Sequence, residues 1–399
     1  MLATSLESIT TSLLQSVCDG KWPESISVEF KRDAPGTSDR DKHELLKDVC
    51  AIANTEGGDI AFGIDEIDGA ASGIAPITTE PPDALMRRLA QTIEAGLEPR
   101  VLGLRMQQVD VAGGYVLILR VPPSYLGPHG IKVNTSRRFV MRTGTTTSDL
   151  TFDQLRMAFD RTATLTDRAR AFIAQRIDAL VQRKTPKPLI HGPIRALHFV
   201  PIGGLSGRQA VDLQALHGQS FTRLLESDWG GGSRVFNLDG LVVYPGAGPN
   251  EDQYGYAQAF RNGAFEAASL GGGSYQQHQS MPEKLIVWSQ DMSKWFRERS
   301  SMILSLAKDF GLSGPAVISF SMLHVEGYEL TIDTFFPRRG HAKPDRPHLV
   351  APDIWIDNLE FARVDDFARP LLDTLWQGFG MERCIDYEAA TGEYKPRRQ

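Results

Sequence analysis

Apolar side chains first recur with a helical period: over 4–19, Leu6, Ile9, Leu13, Leu14 and Val17 fall on one stripe, which Gly20 ends. Trp22-Pro23 then turns the chain. Residues 25–31 (SISVEFK) are β-branched and aromatic with partial alternation, the pattern of a strand. Pro35-Gly36 breaks that run, and Ser38, Asp39 and Asp41 are each suited to cap a helix predicted over 41–54. Its apolar face is Leu45, Leu46, Val49, Cys50, Ile52 and Ala53. Gly57-Gly58 leads into a short apolar strand at 59–64 (DIAFGI). Leu85, Leu89 and Ile93 predict a helix over 82–96, followed by strands over 101–111, 115–121 and 139–142 and the start of a helix over 153–159. Strands and helices in this order define an α/β or α+β domain.

A longer, arginine-rich helix is predicted over 166–182, with Ala171, Ile173, Ile177, Leu180 and Val181 inward, and RKTPKP at 183–188 marks a boundary. Beyond it, strands are predicted over 196–202, 235–244, 254–260, 265–270 and 284–288, joined by glycine-rich connections. An amphipathic helix over 291–310, a strand over 316–320 with a partner at 328–332, and a helix over 365–378 complete the pattern. The expected architecture is α+β in two domains: an α/β domain over 1–162, a linking helix and linker over 163–188, and a second α+β domain over 189–399.

Composition adds limits. The chain has 399 residues, 41% hydrophobic and 23% charged, as a globular protein with a real core requires. No apolar run is long enough for a membrane span, and the start lacks a signal-peptide pattern. Cys18, Cys50 and Cys384 have no paired spacing, so neither a disulfide framework nor a CxxC metal site is expected, and a cytoplasmic location is the default. The net charge of −6 is unevenly spread: between Arg87 and Arg176, fourteen Lys/Arg face seven Asp/Glu, leaving the remainder at −13. That asymmetry permits a basic face for a polyanion, and equally a solvated arginine-rich surface.

Familiar catalytic signatures are missing: no GxxxxGK[ST], HExxH, GxSxG or strand-linked GxGxxG. His43-Glu44 lacks the second histidine of a zinc helix, and Ser206 in GGLSG misses the elbow spacing by one residue. What remains is acidic. Glu29 and Lys31 share one face of their strand, a carboxylate and an ammonium suited to phosphodiester chemistry. Glu24 lies where a turn would fold it back beside Glu29, and Asp65, with Asp68 as its alternative, ends the DIAFGI strand. Two or three carboxylates around one ion would be ordinary Mg²⁺ or Mn²⁺ chemistry. An exposed Glu-x-Lys is also commonly a solvated ion pair, and the acidic run at 65–69 a polar hairpin turn. Asn54 reads as a helix C-terminal residue or a ligand contact. Arg138 and Arg142, four apart on a predicted strand, share a face; with neighbouring Arg137 they have phosphate-binding capacity or form a charged protective edge. In the second half, the glycine runs 230–232 and 271–273 read as flexible hairpin loops in preference to a close approach to phosphate. Trp229, Trp288, Trp295 and Tyr275 are candidates for base stacking or for core.

Four blocks in order resemble the Schlafen AlbA_2 family: ESISVEFK at 24–31, AIANTEGGDIAFGID at 51–65, Pro128-His129, and RFVMRTG at 138–144 with the helix start at 155–159. The likeness covers about the first 160 residues. It implies an endoribonuclease acting on structured RNA such as tRNA, with Glu24, Glu29, Lys31 and Asp65 catalytic and Glu24, Glu29 and Asp65 holding Mg or Mn. A role in phage defence or stress response would follow, alone or in a larger assembly. The alternative is a non-catalytic regulatory module binding ATP, another nucleotide or nucleic acid. The chain departs from the usual family layout in having no helix-turn-helix signal in its second half, and Gly127 where a proline is usual. One visible AlbA_2-like copy suggests a homodimer.

Overall fold

The computed structural model describes residues 1–2, 6–133, 135–205, 211–218, 232–246, 251–276, 283–310, 312, 314–332, 343–359 and 362–396. Two compact units divide the chain, Met1–Thr164 and Leu165–Gln399. Among the described residues no helix is long and apolar enough to cross a membrane. Cys18, Cys50 and Cys384 are free and buried.

In the first unit, α1 (Thr11–Asp19) begins where the Thr10 hydroxyl accepts from the Leu13 amide, and β1 is Val28–Lys31. Helix α2 (Asp39–Ala53) is capped by Ser38, whose hydroxyl accepts from the Asp41 amide at 3.1 Å, with Asp39 and Asp41 set against the positive helix end. Next come β2 (Gly58–Phe62), β3 (Ile64–Ile67), β4 (Ala70–Ile74), α3 (Pro82–Gly96), β5 (Leu97–Glu98), β6 (Arg105–Val111) and β7 (Gly114–Val121). β8 (Gly130–Val133), β9 (Ser136–Arg138), β10 (Val140–Thr143), β11 (Thr146–Asp149) and α4 (Phe152–Val181) follow.

The main sheet runs β1-β2-β7-β6, with β1 and β2 parallel and the rest antiparallel. Alternation along the strands supplies both faces. Ile60, Phe62, Leu117, Leu119 and Val121 pack with α2 and α3, while Val28, Phe30, Ala61, Val116 and Ile118 pack with α1. Because Val28 and Phe30 face α1, the period of two turns Glu29 and Lys31 to the other side, toward α2. Gly57 has φ 72°, and a Cβ there would sit 2.5 Å from the Pro123 nitrogen, so the turn into β2 requires glycine. The strand expected over 59–64 breaks at Gly63 (φ 99°), and a hairpin, β3–β4, follows. The helices expected over 153–159 and 166–182 are one continuous helix, α4, within which the division between the two units falls.

The second unit contains β12 (Ile194–Pro201), α5 (Ile202–Leu205), α6 (Leu213–Gly218), β13 (Ser233–Phe236), β14 (Gly240–Tyr244), β15 (Gly255–Phe260) and β16 (Phe265–Leu270). It continues with β17 (Gly273–Tyr275), β18 (Lys284–Trp288), α7 (Ser289–Asp309), β19 (Ala316–Leu323), β20 (Glu329–Thr331), β21 (His348–Val350), β22 (Ile354–Ile356) and α8 (Val364–Gly378). An antiparallel sheet runs β13-β14-β15-β16-β12-β19-β21, with β22 also on β19. The fold is α+β. The single strand expected over 235–244 is a hairpin, because Asn237 and Asp239-Gly240 turn the chain there and leave Leu238 exposed. β20, expected beside β19, pairs in parallel with β18 instead. Trp295 is core, edge-on to Phe296, and Trp288 packs over Gly273. Trp229, Ser206 and Gly230-Gly231 lie outside the described residues.

One face of this sheet carries Leu197, Phe199, Phe265, Phe320 and Met322 against α7 and α8. The other carries a row of buried polar side chains in cross-strand register: Gln258, Glu266, His198 and Ser319. Arg176 of α4 reaches Glu266 with two hydrogen bonds of 2.9 Å, the His198 ring lies 2.9 Å away, and Tyr256 donates at 2.6 Å. Burial alone would raise the Glu266 carboxyl, but His198 and Arg176 outweigh it and hold it at about 2. A carboxyl held below its ordinary value stabilises the fold above that value and loses the contribution as pH falls toward its folded value. The second unit should therefore lose stability between about pH 4.5 and 2, and Glu266→Gln should remove about 3–5 kcal/mol at neutral pH and flatten that acid limb, as read by urea unfolding across pH.

Candidate functional site

A tight reversal, in which Ser25 and Val28 exchange backbone hydrogen bonds, folds the chain back ahead of β1. Glu24 thereby accepts from the Phe30 amide at 2.9 Å. Its backbone amide donates to Gly69 at 2.7 Å, which lays the β3–β4 hairpin against this segment. Burial raises the Glu24 carboxyl above its usual range, and the like charges of Glu29 and Glu66 add to it.

Glu29 is the centre of the arrangement. One carboxylate oxygen is 2.6 Å from the Lys31 ammonium and the other 2.6 Å from the Arg142 guanidinium. Asp48, from α2, stands 3.5 Å from the same ammonium. Side-chain exposure separates the four: Arg142 2%, Glu29 12%, Asp48 13% and Lys31 40%. Lys31 is thus the side chain of the cluster most open to solvent or a ligand. Burial alone would lower Lys31, but Asp48 and Glu29 outweigh it and keep the ammonium firmly charged. Burial also raises the Asp48 carboxyl, with Glu29 adding to the effect.

Asn54 and Thr55, just past the end of α2, put Arg142 in place. The Asn54 amide donates to the carbonyls of His129 and Val140, both at 2.9 Å, and its oxygen accepts from the His129 amide at 2.8 Å. The Thr55 hydroxyl accepts from the Arg142 amide at 3.0 Å and donates to Ala51. Segments distant in sequence meet at this corner, and the guanidinium is carried to Glu29. His129 is fully buried between the Pro99 carbonyl and the Ser124 hydroxyl, and burial lowers its pKa, so it serves structure. Burial pushes the Cys50 thiol up to about 12, which removes it as a nucleophile.

The remaining expected residues are placed elsewhere. Both oxygens of Asp65 accept from Arg32 at 2.6 Å, so its carboxylate is turned to the surface rather than to Glu29. Asp68 (φ 51°) and Gly69 (φ 72°) form the tip of the β3–β4 hairpin. Arg138 and Arg142 do not share a strand face, since β9 ends at Arg138 and β10 begins at Val140. Arg137 pairs with Glu98 and Arg138 with Asp149, both on the surface, while Arg142 is buried as the partner of Glu29. The carboxylates present do not fit a resident divalent ion in this arrangement. Glu29 is occupied by two cations, and among the described residues no group of three or more Asp, Glu, His or Cys side chains could hold a metal.

Asp48 escapes the sequence reading, although a signal for it exists. With Leu45 and Ile52 it lies at positions i, i+3 and i+7, on the buried stripe of an amphipathic helix where a charge requires a partner.

An α/β unit whose edge strand carries Glu29 and Lys31, closed by the Asn54 corner, is the class of domain that the geometry defines. Residues 24–151 match the Schlafen AlbA_2 family, so the chain carries a Schlafen AlbA_2 domain. Among solved structures, the chain is similar to the N-terminal domain of an ATP-dependent DNA helicase RecG-related protein from Nitrosomonas europaea. Identity there is 24%, over 31% of this chain and 80% of that one, with a TM-score of 0.25. It is also similar to the DIP2311 protein from Corynebacterium diphtheriae, at 22% identity over 35% of this chain and 25% of that one, again with a TM-score of 0.25. At such TM-scores neither likeness bears on fold or function. No curated protein matches the chain.

Asn54→Ala would remove three side-chain hydrogen bonds to the backbone at the corner, leaving the His129 carbonyl with the Cys50 thiol. It should cost about 2–4 kcal/mol in denaturant unfolding, with faster amide exchange at His129 and Arg142.

Proposed function

We propose that the protein acts on nucleic acid through its AlbA_2 domain, as an endoribonuclease for structured RNA such as tRNA. The observation that carries this reading is the Glu29–Lys31 pair, which offers a charged, half-exposed lysine beside the Glu29 carboxylate, with Glu24 folded back onto the Phe30 amide of the same strand. Lys31 would neutralise charge gathering on a phosphate during cleavage. Glu24, whose carboxyl burial raises above its usual range, would exchange a proton with a ribose hydroxyl or water. Arg137 and Arg138 would contact flanking phosphates by exchanging their exposed carboxylate partners, since surface pairs of this kind are worth little. Mg²⁺ or Mn²⁺, implied by the family resemblance, enters as a variable of the assay. Pairing with a second copy to widen the RNA-binding groove belongs to the same proposal.

A second reading, a non-catalytic module for ATP or nucleic acid, is favoured by one observation: both oxygens of Glu29 are already neutralised. Incubation of the full chain with total tRNA in Mn²⁺, in Mg²⁺ or in EDTA separates the two. Cleavage that falls about 100-fold or more in Glu29→Gln is the expected result. Unchanged cleavage in that variant, or no cleavage together with tight ATP binding, supports the second reading.

A further inference from the structure

Lys31 stands on an edge strand with a flexible four-carbon stem, and Glu29, two residues away on the same face, would by itself leave the ammonium a single tether. The structure supplies more. Arg142 takes one oxygen of Glu29 and leaves the other for Lys31, while Asp48 approaches the ammonium from α2. Two carboxylates on two separate elements thus bracket one ammonium. With three N–H donors available, it keeps a donor for a further acceptor on its exposed side. The four side chains carry two positive and two negative charges, so the cluster is closed electrostatically without a ligand, and a phosphate has to meet the ammonium where it is already fixed.

We infer that Asp48 is a positioning residue: with Glu29 it fixes the Lys31 ammonium, and so sets where a phosphate group of the nucleic acid is received. The inference rests on the reading of Lys31 as the phosphate-facing group, and it is tested by a readout that does not need RNA. In the full chain labelled with ¹⁵N-lysine, an ammonium held by two carboxylates exchanges protons with water slowly enough to give its own NMR resonance, and Lys31→Arg assigns it. The resonance is expected in the wild type, lost in Asp48→Asn and recovered in Asp48→Glu, with Tm little changed throughout. In the same samples, tRNA affinity should fall about tenfold in Asp48→Asn, roughly the loss of one phosphate contact, and return in Asp48→Glu. Persistence of the resonance in Asp48→Asn, its absence in the wild type, or wild-type tRNA affinity in Asp48→Asn would each overturn the inference. Should Asp48→Asn unfold, the wild-type nuclear Overhauser contact between the Lys31 Hε and Asp48 Hβ protons decides, and its absence overturns the inference. A wild type that binds no tRNA but keeps the expected resonance pattern removes the RNA reading and leaves the two-carboxylate mount of Lys31 standing.

Discussion

Arg142 and Glu29 form the contact on which the rest of the N-terminal unit's chemistry depends. A guanidinium that is 2% exposed has to be paired, and a carboxylate on an edge strand beside it is the partner. The pair ties β10 to β1, elements more than a hundred residues apart in sequence. It also determines which oxygen of Glu29 is left for Lys31. Without Arg142, a largely buried carboxylate would keep Lys31 alone as its ion-pair partner. With it, the ammonium is held and Glu29 is spoken for.

The corner at Asn54 and Thr55 is what makes that pairing possible. An asparagine side chain carries a donor and an acceptor on one rigid plane, and here the amide and the carbonyl together bind both the 129 and 140 segments. The Gly57 turn then carries the chain from this corner into β2. The blocks at 51–65, 128–129 and 138–144 are therefore parts of one joint. The joint is made by the polar side chains of Asn54 and Thr55 on backbone groups of the other two blocks.

The second unit uses the same physics for a different end. Its sheet has aromatic and aliphatic side chains on the face toward α7 and α8 and a polar row on the other, where Arg176 and His198 offset the burial of Glu266. A buried carboxylate is costly unless its oxygens are satisfied, and here both are. That network holds the C-terminal half of α4 on the sheet.

Much of this was legible in the sequence. Period and caps gave the helices at 82–96, 291–310 and 365–378 nearly to the residue, and the strands at 265–270 and 284–288 completely, because these depend on local propensity and one-sided burial. Alternation placed Glu29 and Lys31 on one face, and the family blocks from 24 to 144 fall within the matched residues 24–151. What failed depended on distant neighbours: Tyr328–Ile332 has a strand pattern but no signal for choosing β18 over β19, and the breaks at Gly63 and Phe139 interrupt runs that look continuous. Asp65 and Arg142 carry the right charges, yet Arg32 turns one to the surface and the Asn54 corner buries the other. Side-chain type and spacing fix which charges lie on which strand face. Only tertiary packing decides which opposite charge each one meets, since that choice is made between elements whose separation in the chain carries no information about their distance in space.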